Sequence, residues 1–271
     1  MPRPSRSKKR KRASSAVSPA QRKLVRALMG DYVLEDTHCY RADRHTFTIY
    51  VGGDPEHPVP GLVDGGSEPG VEYLMADRLS INLGVLSGIN PKRPILIMLS
   101  SCGGHWDEGM QMFSSILTCP NPVTVLATKW ARSMTSLIPL AADRFAIMPP
   151  AQYMFHHGSY GFDGLVQEAF TAHTELLRTR EMMLAIYTTR LKEQGAYVRL
   201  SEKRIRTMLL EHMEKKVDVW LSADEAVEWG FADAVFDGNW QTVRATHKNT
   251  VRRARMLETL RTPIRVETKI S

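Results

Sequence analysis

Four short stretches of the sequence carry residue types that could do chemistry, and the first is Ser100-Ser101-Cys102-Gly103-Gly104. It follows an apolar run and precedes a pattern typical of a helix. Two consecutive glycines allow a sharp turn and leave backbone N–H groups free to face a ligand, as an oxyanion hole requires. Because Gly-Gly pairs are also common in ordinary turns, these residues alone leave both interpretations open.

The second stretch, Ala-Arg-Ser-Met-Thr, contains Ser133 and again lies between an apolar run and a helical pattern. A serine at the start of a helix often caps it by accepting a hydrogen bond from a backbone N–H. The same position also exposes the hydroxyl at a helix N-terminus, whose dipole and free N–H groups favour a developing oxyanion. Ser133 is therefore a candidate for either a helix cap or a reactive hydroxyl.

The third and fourth stretches supply two histidines and a carboxylate. His156 and His157 follow a predicted strand, and since neighbours on a strand point to opposite faces, at most one of them is expected to face the Ser133 site. Asp218 precedes the apolar run Val-Trp-Leu, where its carboxylate could orient a histidine or merely end a loop. Each stretch is a modest signal, and their order along the chain is more informative than any one of them.

Several common site motifs are absent from the sequence. It has no Gly-x-x-x-x-Gly-Lys-Ser/Thr phosphate-binding loop, so this chain is not expected to hydrolyse ATP, and any ATP-driven step requires a partner. It has no His-Glu-x-x-His and no Cys-x-x-Cys, which leaves a metal site with little support. We therefore expect no cofactor in this chain.

The net charge of the 271-residue chain is +7, but this charge is concentrated near the two ends. Residues 3–12 contain seven Lys or Arg and no acid, and residues 244–271 contain eight against two acids. Residues 13–243 carry 21 basic and 27 acidic groups, a net charge of −6. The basic tails could contact nucleic acid through charge alone, although for the N-terminal run a solvated tail is the simpler interpretation.

The cysteines and the N-terminal sequence favour an intracellular protein. Cys39, Cys102 and Cys119 are odd in number and show no paired spacing, so free thiols in a reducing compartment are expected. The basic N-terminus is followed by Ser, Ala and Pro rather than by an apolar segment, and no apolar run approaches 18 residues. We expect a cytoplasmic protein without a membrane partner.

Short apolar runs alternate with helical patterns along most of the chain, which predicts an α/β fold. The predicted strands are Thr46–Val51, Pro94–Ser100, Val123–Ala127, Arg144–Met148 and Gln152–Phe155. The predicted helices are 21–29, Val71–Gly88, one after the Gly-Gly pair, one beginning near Ser133, Leu165–Leu191, Ser201–Met213 and a short one from the Ser222/Glu225 capping box to Gly230. Residues 52–70 hold ten Gly or Pro in 19 positions and are predicted to be a loop.

The order of these elements and motifs resembles the proteolytic subunit family of the Clp protease. The resemblance rests on Ser-Cys-Gly-Gly after one strand, Ala-Arg-Ser-Met after the next, Met-Phe-His before a long helix, and finally Asp-Val-Trp-Leu-Ser-Ala-Asp-Glu-Ala. It covers roughly residues 71–237, with Thr46–Gly53 corresponding to the first core strand of the family.

The resemblance implies a role for each candidate residue. Ser133 corresponds to the nucleophile, His156 to the general base, and Asp218 to the carboxylate that orients this base. The backbone N–H groups of Gly103 and Met134 correspond to the oxyanion hole.

The resemblance also implies an architecture and partners. The expected fold is of the Clp protease/crotonase type, with stacked strand-helix units and a protruding helical handle, for which Leu165–Leu191 is the candidate. Family members form heptameric rings, stacked in pairs, that enclose the active sites, and a separate AAA+ unfoldase feeds them polypeptide substrates. We expect a disordered basic tail at 1–20, a peptidase domain at 21–243 and a basic C-terminal tail at 244–271.

Three positions depart from the usual pattern of the family. Cys102 stands in place of proline, Arg132 in place of a small residue, and Thr135 in place of glycine. A long cation at position 132 could obstruct an extended peptide or select acidic side chains. Cys102 is a weak candidate nucleophile, because it precedes the glycine pair rather than opening a helix. The candidate handle is longer than usual, which leaves the number of rings open.

These residues favour a serine endopeptidase that cleaves peptide bonds through an acyl-enzyme, and a divergent phage-encoded member of the family is a variant of this interpretation. Arg132 suggests one alternative, a catalytically silent paralogue that builds a mixed ring. The related crotonase fold suggests another, an acyl-CoA enzyme that also uses two backbone N–H donors. An intact Ser-His-Asp set disfavours the acyl-CoA enzyme.

Overall fold

The computed structural model describes residue 33 and residues 36–53, 70–161 and 163–264. This part of the chain combines an eight-stranded sheet with helices, which confirms the predicted α/β class. Four predictions lie wholly or partly outside the described residues: the basic tail at 1–20, the helix at 21–29, the Gly/Pro-rich loop at positions 54–69, and the basic C-terminal tail at positions 265–271.

Parallel strands form the centre of the sheet. The strands are β1 (Ala42–Asp43), β2 (Thr48–Gly53), β3 (Ile95–Ser101), β4 (Val123–Arg132), β5 (Arg144–Ile147), β6 (Gln152–Phe155), β7 (Val219–Leu221) and β8 (Ala234–Val235). Their order is β1-β2-β3-β4-β5-β8, and β6 pairs with both β4 and β7. The pairs β2–β3, β3–β4, β4–β5 and β5–β8 are parallel. Parallel neighbours need a crossover connection, which is usually helical.

The fourth strand, β4, is longer than predicted because its two halves have different neighbours. Residues 124–127 pair with β5, whereas residues 130–132 leave β5 and pair with β6. The sequence prediction ended the strand at Ala127, where the continuous apolar run stops. The second half of the strand carries polar side chains such as Lys129 and Arg132, so it does not form the apolar run from which the strand was predicted.

Helices pack on the sheet and close its main core. They are α1 (Tyr73–Ile89), α2 (Trp106–Thr118), α3 (Met134–Leu137), α4 (Val166–Leu191), α5 (Glu202–Lys216), α6 (Ala223–Trp229) and α7 (Thr250–Arg261), with a 3₁₀ turn at Ile138–Ala141. The main core contains buried residues from all the longer helices and from one face of the central strands. A smaller cluster on the other face contains Leu96, Leu126, Ala146 and Val243. Burial on both faces explains why these strands are continuous apolar runs in the sequence.

The helix α4 confirms the predicted long helix. Its buried residues fall between Met183 and Leu191, so only its last third belongs to the core, and the residues of its first half are exposed or half-buried. The predicted capping box at the start of α6 is also confirmed, because Ser222 and Glu225 bond to each other's backbone N–H groups. Gly230 ends that helix at φ 102°, a left-handed conformation that favours glycine.

The segment after residue 243 differs from the basic tail that the charge pattern suggested. It contains α7, whose Arg252 and Arg253 are only 4% and 7% exposed. Arg253 forms an ion pair with Asp143 at 2.5 Å, and Arg252 pairs with Glu193 at 2.7 Å and with Asp233 at 2.8 Å. Acidic side chains of the body therefore neutralise these arginines, and the helix through Arg261 packs on the core.

Replacing Asp233 by asparagine is expected to destabilise the protein by about 3–5 kcal/mol at pH 7, because the buried guanidinium groups of Arg190 and Arg252 would then share the single carboxylate of Glu193, which leaves one buried positive charge uncompensated. Burial opposes ionisation of Asp233, but the charges and hydrogen bonds of Arg190 and Arg252 outweigh it and lower the pKa of this carboxyl well below its usual range. A lowered pKa stabilises the fold above the unfolded-state pKa of about 3.9, and this contribution is lost as the pH falls further. The difference in the free energy of unfolding between Asp233→Asn and wild type should therefore be largest at neutral pH and become smaller below about pH 4.

Urea unfolding of Asp233→Asn and wild type between pH 3 and pH 7 measures this difference. Asp237→Asn is the matched control, since Asp237 is exposed and its carboxylate only accepts a local backbone N–H from Asn239. We expect the control to shift stability by no more than about 0.5 kcal/mol. A difference between Asp233→Asn and wild type that does not change with pH would contradict the assignment of the ion pairs.

Candidate active site

Ser133 lies in a tight turn between β4 and α3, in a backbone conformation that residues other than glycine rarely adopt (φ 52°, ψ −125°). The Ser133 N–H donates to the Met154 carbonyl at 2.9 Å, and the Ser136 N–H donates to the Ser133 carbonyl at 2.8 Å. The Ser133 hydroxyl makes no capping hydrogen bond to α3, so the helix-cap interpretation is wrong. Such a conformation costs about 1–3 kcal/mol and is typical of functional positions.

The side chains of Ser133, His156 and Asp218 form a hydrogen-bonded chain. Nε2 of His156 lies 2.8 Å from Oγ of Ser133, and Nδ1 of the same ring lies 2.9 Å from Oδ1 of Asp218. The side chains of His156 and Asp218 are 21% and 42% exposed, so the ring lies deeper than the carboxylate that contacts it. This arrangement allows the imidazole to accept the hydroxyl proton at Nε2 while Nδ1–H donates to the carboxylate.

Sheet register explains how residues so far apart in the sequence meet. Arg132, at the end of β4, pairs with Met154 on β6, and Phe155, at the end of β6, pairs with Val219 on β7. Ser133 follows the first of these pairs directly. His156 and Asp218 are the next positions beyond the second pair, because β6 and β7 are antiparallel. Two ladders of a few residues each therefore bring all three side chains to one edge of the sheet.

Gly103 and Gly104 occupy different environments, and the expected oxyanion donor Gly103 requires a correction. Gly103 is buried, its N–H donates to Ser101 Oγ at 3.3 Å, and a Cβ at this position would lie 2.5 Å from Cβ of Ser133. Gly104 is exposed, lines the same cavity as Ser133, and donates its N–H to no acceptor in the described part of the chain. The geometry therefore moves the candidate donor from Gly103 to Gly104. Met134 remains the other candidate, since the first N–H of a helix has no intrahelical partner.

Thr135 contributes to the site in a way that sequence reasoning missed. Its side chain is fully buried, and Oγ1 accepts from the Arg132 N–H at 3.0 Å and lies 2.8 Å from the Ser101 carbonyl oxygen. These bonds join the end of β3 to the turn that holds Ser133. Glycine, which is usual here in the family, has no hydroxyl to make them. Threonine at position 135 therefore adds hydrogen bonds that connect the turn to β3 in this chain.

The other two departures lie away from the reacting groups. The guanidinium of Arg132 stacks on Trp130 and Trp220, at 4.2 and 4.5 Å from the ring centres, and bonds to the Gln152 side chain. Arg132 does not line the cavity that contains Ser133, and neither does Cys102. The structure therefore gives no support to obstruction by Arg132 or to Cys102 as nucleophile.

A cavity of about 1010 Å³ opens at Ser133 and His156. Its wall includes apolar side chains of α2 and the following segments, among them Trp106, Met110 and Leu137. His157 lines the same cavity as His156, which differs from the expectation that only one of the two would face the site. The reason is that β6 ends at Phe155, so the alternation of a strand no longer applies to the two histidines.

The described residues show neither a metal-binding cluster nor a membrane-spanning helix. Within residues 36–53, 70–161 and 163–264, no three His, Cys, Asp or Glu side chains converge in a way that could hold a metal ion. None of the helices in the same ranges is long and apolar enough to cross a membrane.

Comparison with known proteins gives consistent results. The sequence model described as Clp protease matches residues 68–239. The chain is 30% identical over 174 residues to the ATP-dependent Clp protease proteolytic subunit 1 of Chlamydia abortus, covering 62% of this chain and 83% of that protein. It is 28% identical over 169 residues to the ATP-dependent Clp protease proteolytic subunit of Deinococcus radiodurans, covering 62% of this chain and 76% of that protein.

A solved structure, a point mutant of ClpP1 from Listeria monocytogenes, superposes with a TM-score of 0.54 at 23% identity. The alignment covers 73% of this chain and 95% of that one, which confirms the expected fold of stacked strand-helix units with a long helical handle. The family match spans the elements that carry Ser133, His156 and Asp218. This chain therefore belongs to the Clp protease family, of which it is a divergent member.

Proposed function

We propose that this chain is a serine endopeptidase and the proteolytic subunit of a Clp-type assembly. The observation that carries the proposal is the hydrogen-bonded chain from Ser133 Oγ through His156 to Asp218, with separations of 2.8 and 2.9 Å. The names of the relatives from Chlamydia abortus and Deinococcus radiodurans support the same activity.

Acylation follows from the positions of these groups. His156 takes the proton of Ser133 through Nε2 as Oγ attacks the carbonyl carbon of the scissile peptide bond. Negative charge then develops on the carbonyl oxygen, where the N–H groups of Met134 and Gly104 can donate to it. Asp218 holds the ring in the required tautomer and stabilises its charged form. The protonated imidazole finally gives its proton to the leaving amine, and an acyl-enzyme remains on Ser133.

Deacylation repeats the same steps with water. His156 removes a proton from a water molecule that enters the cavity after the amine leaves, and the hydroxide attacks the ester carbonyl. The proton then returns from His156 to Oγ of Ser133, and a peptide with a new C-terminal carboxylate is released.

The assembly expected for this chain is a heptameric ring, single or double, that encloses the active sites. A separate AAA+ unfoldase would supply polypeptide substrates and hydrolyse the ATP, because this sequence has no phosphate-binding loop of its own. The words "ATP-dependent" and "proteolytic subunit" in the names of the relatives fit such a division of labour. The cytoplasm is the compartment we propose for this assembly.

The alternatives have less support. The catalytically silent paralogue was suggested by the position of Arg132 beside Ser133. The guanidinium of Arg132, however, is stacked on two indole rings and does not line the cavity. The acyl-CoA alternative requires backbone donors but no nucleophilic serine, and it leaves the bonded chain of Ser133, His156 and Asp218 without a role.

Labelling with a fluorophosphonate probe tests the nucleophile. We expect the assembled wild-type protein to be labelled on Ser133 and Ser133→Ala to show no labelling above background, since phosphonylation needs the hydroxyl that His156 activates. Intact mass and peptide mapping locate the adduct. Ser159→Ala is the control, because Ser159 lies in the same cavity wall but has no imidazole hydrogen bond and should leave labelling unchanged. Absence of wild-type labelling, or labelling that survives Ser133→Ala, would refute the proposal.

A further inference from the structure

Two side chains in the wall of the active-site cavity can donate hydrogen bonds and have no partner. Arg180 projects from α4, and His157 follows the catalytic histidine directly. Nε of Arg180 and Nδ1 of His157 are both buried and make no hydrogen bond. Within the described part of the chain, neither side chain forms a hydrogen bond or an ion pair.

Arg178 offers a direct comparison on the same helix. It lines the same cavity two residues earlier, but its guanidinium forms an ion pair with Glu175, one helical turn away. Asp107, at the start of α2, is the other carboxylate in the cavity wall, and it makes no ion pair with Arg180. The charge of Arg180 is therefore not neutralised by either acid of the wall.

The charge state of His157 follows from its surroundings. Burial, followed by the nearby charge of Arg180, lowers the pKa of His157, while the exposed Glu214 of α5 acts in the opposite direction. The ring is therefore neutral near pH 7, where it can donate one hydrogen bond but carries no charge. Arg180 supplies the positive charge at this part of the wall.

We propose that Arg180 and His157 form a carboxylate-binding subsite, and that Arg180 gives this peptidase a preference for substrates with an acidic side chain near the scissile bond. Nε of the half-buried Arg180 is a buried donor without a partner, and such a donor is unfavourable, so an incoming anion that accepts from it gains more than a neutral side chain does. Planar guanidinium groups match carboxylates in shape as well as in charge. The subsite rests on the proposed function, because it uses the same cavity beside Ser133 and His156.

This subsite differs from the selection of acidic substrates that Arg132 suggested in the sequence. The guanidinium of Arg132 stacks on Trp130 and Trp220 outside the cavity, whereas Arg180 lines the cavity and has no partner among the described residues. The structure therefore assigns the selection of acidic substrates to Arg180 on α4 and not to Arg132, the residue next to the nucleophile.

Peptide binding to the full-length Ser133→Ala protein tests the subsite without requiring cleavage. Each labelled decapeptide carries a single Glu or Gln, placed in turn at one of six consecutive positions. Every peptide is made with a free and with an amidated C-terminus. Fluorescence anisotropy gives the dissociation constants. We expect Glu at one position to bind about tenfold more tightly than Gln with either C-terminus, the effect of one charge-assisted hydrogen bond.

Substitutions at Arg180 then assign the preference. Arg180→Gln in the same background should reduce the Glu/Gln ratio to near one, and Arg180→Lys should restore part of it, which a merely structural role would not do. Arg178→Gln is the matched control and should keep the ratio, since its charge is already paired with Glu175. A thermal unfolding midpoint for each variant shows that it is folded.

The outcomes separate the two possible carboxylates and the two proposals. If peptides with a free C-terminus bind more tightly than amidated ones and Arg180→Gln removes this difference, the subsite is supported, but its ligand is the C-terminal carboxylate of a peptide and not an acidic side chain. Equal binding of all peptides, or a Glu/Gln ratio that survives Arg180→Gln, overturns the subsite. Fluorophosphonate labelling of wild type reports the proposed function independently, so a protein that shows the preference but is not labelled contradicts the proposed function alone.

Discussion

Replacing His156 by alanine is expected to lower kcat on a fluorogenic peptide by about 10⁶-fold, close to the background set by binding and the oxyanion donors alone. The imidazole is the base that lies within hydrogen-bond distance of the Ser133 hydroxyl, with Nε2 at 2.8 Å from Oγ. Without it, the serine must lose its proton to water, and the leaving amine must depart without an acid to protonate it. The same variant should lose fluorophosphonate labelling, because this reaction needs the same activation.

A second histidine provides the control for this substitution. His173 is exposed on α4 and does not line the cavity, so His173→Ala should retain the activity of wild type. Initial rates are measured on the same assembled preparations, and native mass spectrometry checks that each variant assembles equally. A decrease of less than about 100-fold in His156→Ala would show that another group acts as the base, since general base catalysis contributes at least this much.

Much of the fold could be predicted because the local signals are strong. The strands β3 and β5 are short apolar runs covered on both faces, and the capping box of α6 is visible in four residues, Ser222 to Glu225. The second half of β4 escaped prediction because it carries polar side chains and is held by pairing with β6 rather than with β5. Pairing between distant segments depends on tertiary context, which a pattern of apolar residues does not contain.

The C-terminal segment shows how a charge pattern can mislead. Eight Lys or Arg in residues 244–271 suggested a basic tail outside the peptidase domain, since the sequence alone does not show where an arginine finds its partner. Arg253 is buried against Asp143, 110 positions earlier, and several backbone carbonyl oxygens also accept hydrogen bonds from it. A buried ion pair of this kind is recognised only when both charges are placed in space.

The three side chains of the candidate site and one of its two backbone donors, the Met134 N–H, were predicted from the sequence, whereas the other donor was assigned to the wrong glycine. Ser133, His156 and Asp218 are recognisable by residue type and order, and the structure brings them into one hydrogen-bonded chain. The choice between Gly103 and Gly104 depends on which N–H is turned into the cavity, and both residues have the same sequence signal. Thr135 was noticed only as a departure, because its role lies in hydrogen bonds to backbone atoms of Ser101 and Arg132.

The short ladders around β6 explain why these residues meet and also what would separate them. Since β6 and β7 share only three residue pairs, the position of Asp218 depends on the register Tyr153↔Leu221 to Phe155↔Val219. A shift of one residue would turn every side chain of β7 to the opposite face and move the carboxylate away from His156. Tyr153 and Phe155 are fully buried and pack on Phe231, which holds β6 in place.

Replacing Asp218 by asparagine is expected to lower kcat by about 10³–10⁴-fold while leaving the fold and assembly intact. The amide is similar in size to the carboxylate, but its NH₂ group can donate to Nδ1 of His156, which places the ring proton on Nε2 and removes the acceptor for the Ser133 hydroxyl. Asp218 is 42% exposed, so water can partly replace the missing acceptor, and the loss should stay below that of His156→Ala. Rates on the fluorogenic peptide measure the effect, and Asp224→Asn, an exposed carboxylate in the first turn of α6, should keep wild-type activity. Retention of more than a tenth of the activity in Asp218→Asn would mean that this carboxylate ends a loop and does not orient the base.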